Sequence, residues 1–433
     1  VSMARIPALT ATLCALGLVA RSEFQSKTLV ILDDPTLPQS HSIFFKNLKN
    51  RGHELTITSA KNRTLKMGKY GQFDYDNVIL FSPSTEDFGG DFDVDHILNF
   101  IEDGRNALVI VDEKPTETNR EVANECGVDF DEDSTAVVDH VSHDSTSEDG
   151  SHSKIIAKLS PVSKKFVGDI DAPIVYRGLG HVVNEDSPLV FGLLTASATA
   201  YSHAGGKVKD FPQSAGTDTL LVSAVQARNN ARLVFVGSKE LFSNEFFNSP
   251  IQDSTDGKYY EKPGNEDFAD AATKWAFKEK GLLRAVNFTH RRVGSDEANP
   301  SVYRMRDDAV VEVVIQEYDG KTDSWKPFIA DDVQLEFIML DPYVRTTLTH
   351  NNKGLFTTSF KVPDVYGCYK LVLKYDRPGY SFLDVKAQTK VRPFQHNEYE
   401  RFLLVAYPYY ASAFSMMAGF FIFGLYFMFG VSP

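Results

Sequence analysis

Asp33 and Asp34 close the apolar run Lys27-Thr-Leu-Val-Ile-Leu-Asp33. Paired carboxylates beyond the end of such a run could bind a metal ion or a hydroxyl in the crevice of an α/β sheet. The same residues suit a strand-to-helix turn in which Asp caps a helix, and that reading is favoured. Ser82 and Ser84, in Phe81-Ser-Pro-Ser-Thr85, occupy the turn where an amidotransferase or hydrolase would carry its nucleophile. The turn has no cysteine and no Gly-x-Cys-x-Gly or Gly-x-Ser-x-Gly frame, so catalysis there is not expected. His140, His143 and His152 lie in a stretch with no Lys or Arg between Glu121 and Ser153. Histidines among carboxylates could hold a divalent ion, but the composition favours a solvated acidic loop. Gly205-Gly206-Lys207 lacks a Ser or Thr after the lysine and has Tyr201 where a phosphate loop needs its first glycine; Gly178-Leu-Gly180 is too short for a dinucleotide fingerprint. No catalytic, cofactor-binding or metal-binding residue is assigned, and no cofactor is expected.

The 433 residues suffice for roughly two to three domains. With 45 Lys and Arg against 58 Asp and Glu, the net charge is −13, which disfavours a nucleic-acid binder dependent on phosphate neutralisation. Three cysteines cannot make a disulfide scaffold.

The two ends carry the strongest patterns. Arg5 precedes an uncharged stretch from Ile6 to Ala20, which resembles a secretory signal peptide over 1–22; Met3 is read as the native start, and cleavage is expected after Ser22, with Ala20 the alternative. At the other end no charged residue occurs from Phe402 to Val431. Pro408 is expected to break that run, leaving a membrane helix over 411–430, followed by a very short cytosolic tail, 431–433. Tyr407, Tyr409 and Tyr410 suit an interfacial aromatic belt. Ala411, Ser415 and Gly419 place small side chains on one helix face, a ridge on which a partner helix could pack. A cleaved signal and one late span give a single-pass type I protein with its bulk in the secretory lumen or outside the cell. The sequons at Asn62 and Asn287 are candidate glycosylation sites in that compartment, whereas Asn299-Pro300-Ser301 is blocked by its proline. Cys126 and Cys368 are expected to be free, buried thiols.

Between these ends, two regions are expected. Over 23–298, short apolar strands (Lys27–Asp33, Glu54–Thr58, Asp76–Phe81, Asn106–Val111, Ala231–Val236) alternate in part with helices over Ser42–Arg51, Val94–Glu102 and Asp267–Lys280. Such βαβ units imply a mainly parallel sheet covered on both faces, flavodoxin-like or amidotransferase-like. Over 299–398, Val311–Ile315, Leu335–Met339 and Tyr369–Tyr375 alternate apolar and polar residues, and turn residues separate them; this predicts an antiparallel β-sandwich.

Leu32-Asp33-Asp34, Gln226-Ala-Arg-Asn-Asn-Ala-Arg232, Phe246-Phe-Asn-Ser249 and Ala406-Tyr-Pro-Tyr-Tyr-Ala-Ser-Ala-Phe-Ser-Met-Met417 together resemble the 48 kDa subunit family of the eukaryotic oligosaccharyltransferase, called the wheat-germ-agglutinin-binding-protein subunit in yeast. The likeness runs from about Ser26 through the membrane helix. It implies an endoplasmic reticulum membrane protein in a complex that moves a preassembled oligosaccharide from dolichyl diphosphate to Asn of Asn-x-Ser/Thr sequons. It implies a non-catalytic, structural role beside a catalytic multi-span subunit, ribophorin-like subunits and small membrane subunits, in contact with membrane lipid and in reach of nascent polypeptide or lipid-linked oligosaccharide. The family's short basic retrieval tail has no counterpart here. A type I surface receptor or adhesion protein, or a lumenal amidotransferase-like hydrolase, are the alternatives that the residues alone leave open.

Overall fold

The computed structural model describes residues 26–430, apart from 70, 71, 87, 91, 147–149, 185, 205–210, 321, 400 and 402. The expected signal peptide over 1–22, the tail over 431–433 and Gly205-Gly206-Lys207 lie outside the described residues.

The first part is built on β1 (Ser26–Leu32), α1 (Ser42–Asn50), β2 (His53–Ser59), β3 (Asn77–Phe81), α2 (Val94–Glu102), β4 (Asn106–Ile110), α3 (Glu117–Glu125), β5 (Ile155–Leu159), β6 (Ile174–Tyr176), β7 (Val190–Thr195), β8 (Leu220–Gln226), β9 (Arg232–Val236) and α4 (Asn265–Ala276). Its main sheet runs in the order β6-β5-β7-β8-β9-β4-β3-β1-β2. From β9 to β2 the pairs are parallel; from β6 to β9 they are antiparallel. The sheet is therefore mixed rather than mainly parallel. Helices do not separate β8 from β9: a tight turn at Ala227–Ala231 joins them, and such a connection permits only antiparallel neighbours.

Strand alternation divides the core. Val30, Leu32, Ile79, Phe81, Leu108 and Ile110 face α1 and α4, which supply Phe44, Phe45, Leu48, Phe268 and Trp275. Leu29, Ile31, Val78, Leu80, Ala107 and Val109 face α2 and α3, which supply Ile97, Phe100 and Val122. Strands buried on both faces need continuous apolar runs, which is why these segments read so clearly.

The second part contains β10 (Lys280–Arg292), β11 (Val302–Arg304), β12 (Asp308–Asp319), β13 (Ser324–Pro327), β14 (Gln334–Ile338), β15 (Pro342–Thr347), β16 (Leu355–Lys361), β17 (Gly367–Tyr375) and β18 (Leu383–Arg392). One sheet holds β10-β12-β16, with β13 beside β12; the other has the order β11-β18-β17-β14-β15. Val311, Val313, Ile315 and Phe356 from the first meet Leu335, Phe337, Leu371 and Leu373 from the second. The Phe337 and Tyr369 rings stack at 4.4 Å. One pair departs from the expected antiparallel pattern: β11 runs parallel to β18.

The sequence reading ends the α/β region at 298, but β10 pairs with β12 and so belongs to the second part. Register shifts between Lys280 and Leu283 and between Val286 and Thr289 break the period-two pattern that would have revealed it, and Asn287 adopts φ 55° at the second shift. α4 stops at Ala276 rather than Lys280, because Lys278 takes φ 61° and turns the chain into β10.

The last helix, α5 (Tyr407–Gly430), starts four residues before the expected 411. Pro408 sits in its first turn, where no intrahelical partner awaits its missing N–H, so it starts the helix instead of breaking it. The apolar segment Leu404–Gly430 has a mean hydropathy of 1.7 over its best window, and none of that window is buried. The 24 helical residues reach about 36 Å, enough for the roughly 30 Å hydrocarbon layer.

Candidate functional site

The carboxyl ends of the parallel strands bring Asp33, Ser82 and Ser84 together where the chain order of the strands reverses, between β1 and β3. Asp33 accepts hydrogen bonds from the Ser84 hydroxyl at 2.7 Å and from its amide at 3.3 Å, tying the two strand ends. Asp34 accepts from the Thr36 amide at 2.8 Å, and this bond holds its carboxyl below the usual range. The strand-to-helix turn favoured from sequence is present as an Asx-type turn, but Asp34 does not cap the helix Leu37–Ser40, whose N-cap position is Thr36. Ser82 is buried and its hydroxyl has no hydrogen-bond partner. The nearby His41 is turned away: Nε2 meets the Lys239 carbonyl at 3.0 Å, Nδ1 meets Ser40 at 2.8 Å, and burial lowers its pKa. Lys239 pairs with Asp112 at 2.5 Å; burial opposes its charge, but the pair wins and its pKa is raised. Asp33, Asp34, Ser84 and His41 thus bond to one another or to backbone, and neither serine is bonded to an imidazole.

His140, His143 and His152 do come together, with ring centroids at 5.0 Å (His140–His152) and 4.3 Å (His143–His152). His140 Nε2 lies 3.0 Å from the Tyr201 hydroxyl. Among the described residues no group of three or more His, Cys, Asp or Glu side chains is arranged to hold a metal ion. Cys126 and Cys368 are free. Cys126 is largely buried, which pushes its thiol up to about 12, whereas Cys368 is exposed rather than buried, because its position in β17 faces outward.

The densest polar site joins the two parts, and it is built from Gln226–Arg232. These residues end β8, make the hairpin turn and start β9. Asn229 donates to the Ile101 and Glu102 carbonyls, each at 2.8 Å, and so closes the end of α2. Asn230, at φ 66°, accepts from the Phe382 amide at 2.6 Å, and Gln226 donates to the Tyr380 carbonyl. Arg232 is fully buried. Its guanidinium donates to the carbonyls of Trp275 (2.8 Å), Lys280 (2.6 Å) and Gly281 (2.7 Å), and lies 5.0 Å from the Trp275 ring centroid. The Trp275 indole N–H continues the network to the Gly379 carbonyl at 2.9 Å. Burial lowers the pKa of Arg232 to about 9, which still leaves it cationic at neutral pH. Gly281 is needed at the contact: it takes φ 70°, and a Cβ there would lie 2.4 Å from the Gly379 carbonyl oxygen. The α/β part thus grips both the entry strand β10 and the 379–382 turn of the second part. Sequence reading has this segment only as a string of resemblance; the available signal was an arginine inside the apolar run Ala231–Val236.

Comparison with known proteins follows the same division. Family models described as the OST48 N-terminal domain and the OST48 middle domain match residues 19–279 and 290–431. The chain belongs to the OST48 family. A relative from Arabidopsis thaliana, named the dolichyl-diphosphooligosaccharide–protein glycosyltransferase 48 kDa subunit, is 45% identical over 407 residues, covering 93% of this chain and 92% of its own length. Relatives of the same name are 46% identical in Danio rerio, over 93% of this chain and 91% of their chain, and 42% identical in Drosophila melanogaster, over 94% and 92%. In this OST48-family chain the two family models leave 280–289 between them, the stretch that Arg232 holds through Lys280 and Gly281.

The structure leaves the other sequence candidates accessible. Asn62 is exposed and accepts from the Thr64 amide at 3.0 Å and the Thr64 hydroxyl at 2.9 Å. Asn287 is exposed at the second bulge of β10. Ala411, Ser415 and Gly419 lie on α5 and are exposed, and space around Gly419 is open.

One buried group missed by the sequence reading gives the α/β part a pH response. His181 is fully buried against Phe130, neither ring nitrogen has a hydrogen-bond partner, and burial lowers its pKa to about 3. The unfolded chain takes up this proton near pH 6.5 and the folded chain does not, so stability falls as pH drops below 6.5 toward 3. By pH 5 this loss is roughly 2 kcal/mol. Denaturant melts from pH 7 to 5 should show it, and His181→Leu should flatten the slope; an unchanged slope would exclude His181 as its source.

Proposed function

We propose that this chain is a structural, non-catalytic subunit of an oligosaccharyltransferase complex, which transfers a preassembled oligosaccharide from dolichyl diphosphate to Asn of Asn-x-Ser/Thr sequons in nascent proteins. The observation that carries this reading is similarity along nearly the whole chain to relatives named as the 48 kDa subunit of that glycosyltransferase. The order β2-β1-β3-β4-β9, in which β9 is the fifth parallel strand but follows the antiparallel β5–β8 along the chain, supports a flavodoxin- or amidotransferase-like fold for the first part, and the two facing sheets support a β-sandwich for the second. The boundary between them falls near 279 in this reading.

The topology we propose is single-pass type I in the endoplasmic reticulum membrane: a cleaved signal over 1–22, both folded parts in the lumen, and α5 as the span. Asn62 and Asn287 then face the glycosylating compartment. Ala411, Ser415 and Gly419 present a low ridge to helices of the catalytic multi-span subunit or of the small membrane subunits, while the joined lumenal parts offer surface to ribophorin-like subunits. The bonds that occupy Asp33, Asp34, Ser84 and His41 are all within the chain and support a structural role for these residues in its own fold.

Purification of the tagged chain from membranes in mild detergent tests this. The eluate is expected to transfer lipid-linked oligosaccharide to a sequon peptide, and the chain expressed alone is expected to show no transfer. A lone chain without partners or activity would instead favour a surface receptor; activity in the isolated chain would favour a lumenal hydrolase-like enzyme.

A further inference from the structure

We propose that the end of the second part from which the chain leaves for α5 is itself a membrane-contact face, with Leu340, Val365 and Tyr366 lying in the headgroup zone of the bilayer. This rests on α5 spanning the membrane.

Strand register puts the relevant loops at one end. β17 begins at Gly367 opposite Val391, the last turn of β18 before the chain departs, and Ile338 at the end of β14 pairs with Lys370. The 339–341 and 363–366 loops therefore project from the same end as the outgoing chain, opposite the end gripped by Arg232. Leu340 is 89% exposed and Tyr366 68%. The loops are braced from behind: the Tyr369 hydroxyl donates to the Val365 carbonyl at 2.9 Å, the Tyr343 ring lies 5.5 Å from the Tyr369 ring, and Met339 sulfur packs over Gly367. Exposed apolar side chains gathered on two loops at one end of the second part suit a contact surface.

The connection to the helix identifies a lipid surface as what covers it. Fourteen residues separate β18 from α5, but the first of them are folded back. Arg392 makes two bonds to Glu398, at 2.6 and 2.7 Å, the Gln395 amide bonds to Glu398 at 2.9 Å, and Phe394 lies 5.5 Å from Tyr399. Only residues 400–403 then precede the short turn Leu404–Ala406. Four extended residues reach about 14 Å, and the turn adds about 6 Å. The headgroup zone is itself roughly 5–8 Å deep on each side. The tether thus keeps this end next to the bilayer, and Leu403, Leu404 and Val405, all exposed, draw it closer. Asp341 and Asp364 on the same loops remain on the water side, Asp364 beside Arg306 at 3.8 Å.

The test uses the mature chain with Cys126 and Cys368 replaced, reconstituted in phosphatidylcholine nanodiscs, with a nitrobenzoxadiazole probe at L340C, Y366C, F420C or N352C. Asn352 is exposed at the opposite end of the second part. Headgroup-region nitroxide lipid is expected to quench at least about half of the emission at L340C and Y366C, and little at N352C, while deep nitroxide lipid quenches F420C. Loop probes quenched no more than N352C, with F420C quenched, would overturn the contact face and leave the span intact. An unquenched F420C would overturn the span and the contact face with it. Because Leu340 and Tyr366 are exposed, neither substitution opens the core.

Discussion

Replacing Arg232 with methionine should lower stability by about 2–4 kcal/mol, through the loss of three hydrogen bonds donated by a buried cation. The change removes one donor from each of the carbonyls of Trp275, Lys280 and Gly281, although the Lys278 amide still reaches Trp275 at 3.2 Å and the Ser381 amide still reaches Gly281 at 2.8 Å. It also removes the cation from the Trp275 ring. Lysine should rescue little, because one ammonium cannot reproduce a planar fork reaching three carbonyls. The loss should be local before it is global: hydrogen exchange should accelerate first at Lys280–Leu283 and at Gly379–Phe382, the two segments of the second part that the α/β part holds. At roughly 2–4 °C per kcal/mol the melting temperature should fall by about 10 °C. Arg228→Met, in the same hairpin but exposed, should change stability by less than about 0.5 kcal/mol. Equal effects of the two substitutions would remove Arg232 from its role at the junction.

The second large effect is expected in the membrane. Ala411→Leu, Ser415→Leu and Gly419→Leu together should leave the chain folded and membrane-embedded but reduce co-purifying subunits roughly tenfold, equivalent to about 1.4 kcal/mol of helix contact. The structure makes this interpretable. Ser415 satisfies its hydroxyl on the Ser412 carbonyl at 2.9 Å, so its loss strands no polar group, and a Cβ at Gly419 would meet nothing within 4 Å. The added side chains clash only with a partner. Met417→Leu, on the other face of the helix and nearly equal in volume, serves as control. Quantitative co-immunoprecipitation, with carbonate extraction to verify anchoring, measures both. Full retention of partners by the triple variant would exclude the ridge as a contact.

The legibility of this chain follows from how strongly each segment is constrained. β1, β3, β4 and β9 are buried on both faces, so each had to be a continuous apolar run, and each can be read directly. α5 was legible as a span but not in its start, because a proline within a helix breaks it whereas one in the first turn does not. β10 was hidden by its two bulges, which scramble the period-two signal and moved the expected boundary to 298. The antiparallel half of the main sheet was hidden by short strands with no helix longer than the four-residue Lys164–Val167 between them. At the crevice, Asp34 caps no helix: the helix Leu37–Ser40 has Thr36 at its N-cap and no side-chain cap. The turn at Asp34 was legible, because Asx turns depend on neighbours in sequence. The junction was not, since Arg232 contacts residues 43 to 49 positions away, and nothing in its neighbours announces that three carbonyls converge there. His181 was missed for the same reason: a lone histidine gives no sign that its cage is dry.

The most direct test of the central claim, that this chain supports the assembly without performing its chemistry, is reconstitution of complexes depleted of it. They would be resupplied with wild-type chain or with the Asp33→Asn, Ser82→Ala, Ser84→Ala triple variant, and oligosaccharide transfer to a sequon peptide would be measured alongside subunit content. The account predicts that the triple variant restores transfer to within about twofold of wild type, since losing the Asp33–Ser84 bonds costs about 1 kcal/mol of local stability and no catalytic group. Abolished transfer in a complex that has assembled in full would contradict it and locate chemistry in the crevice of this chain.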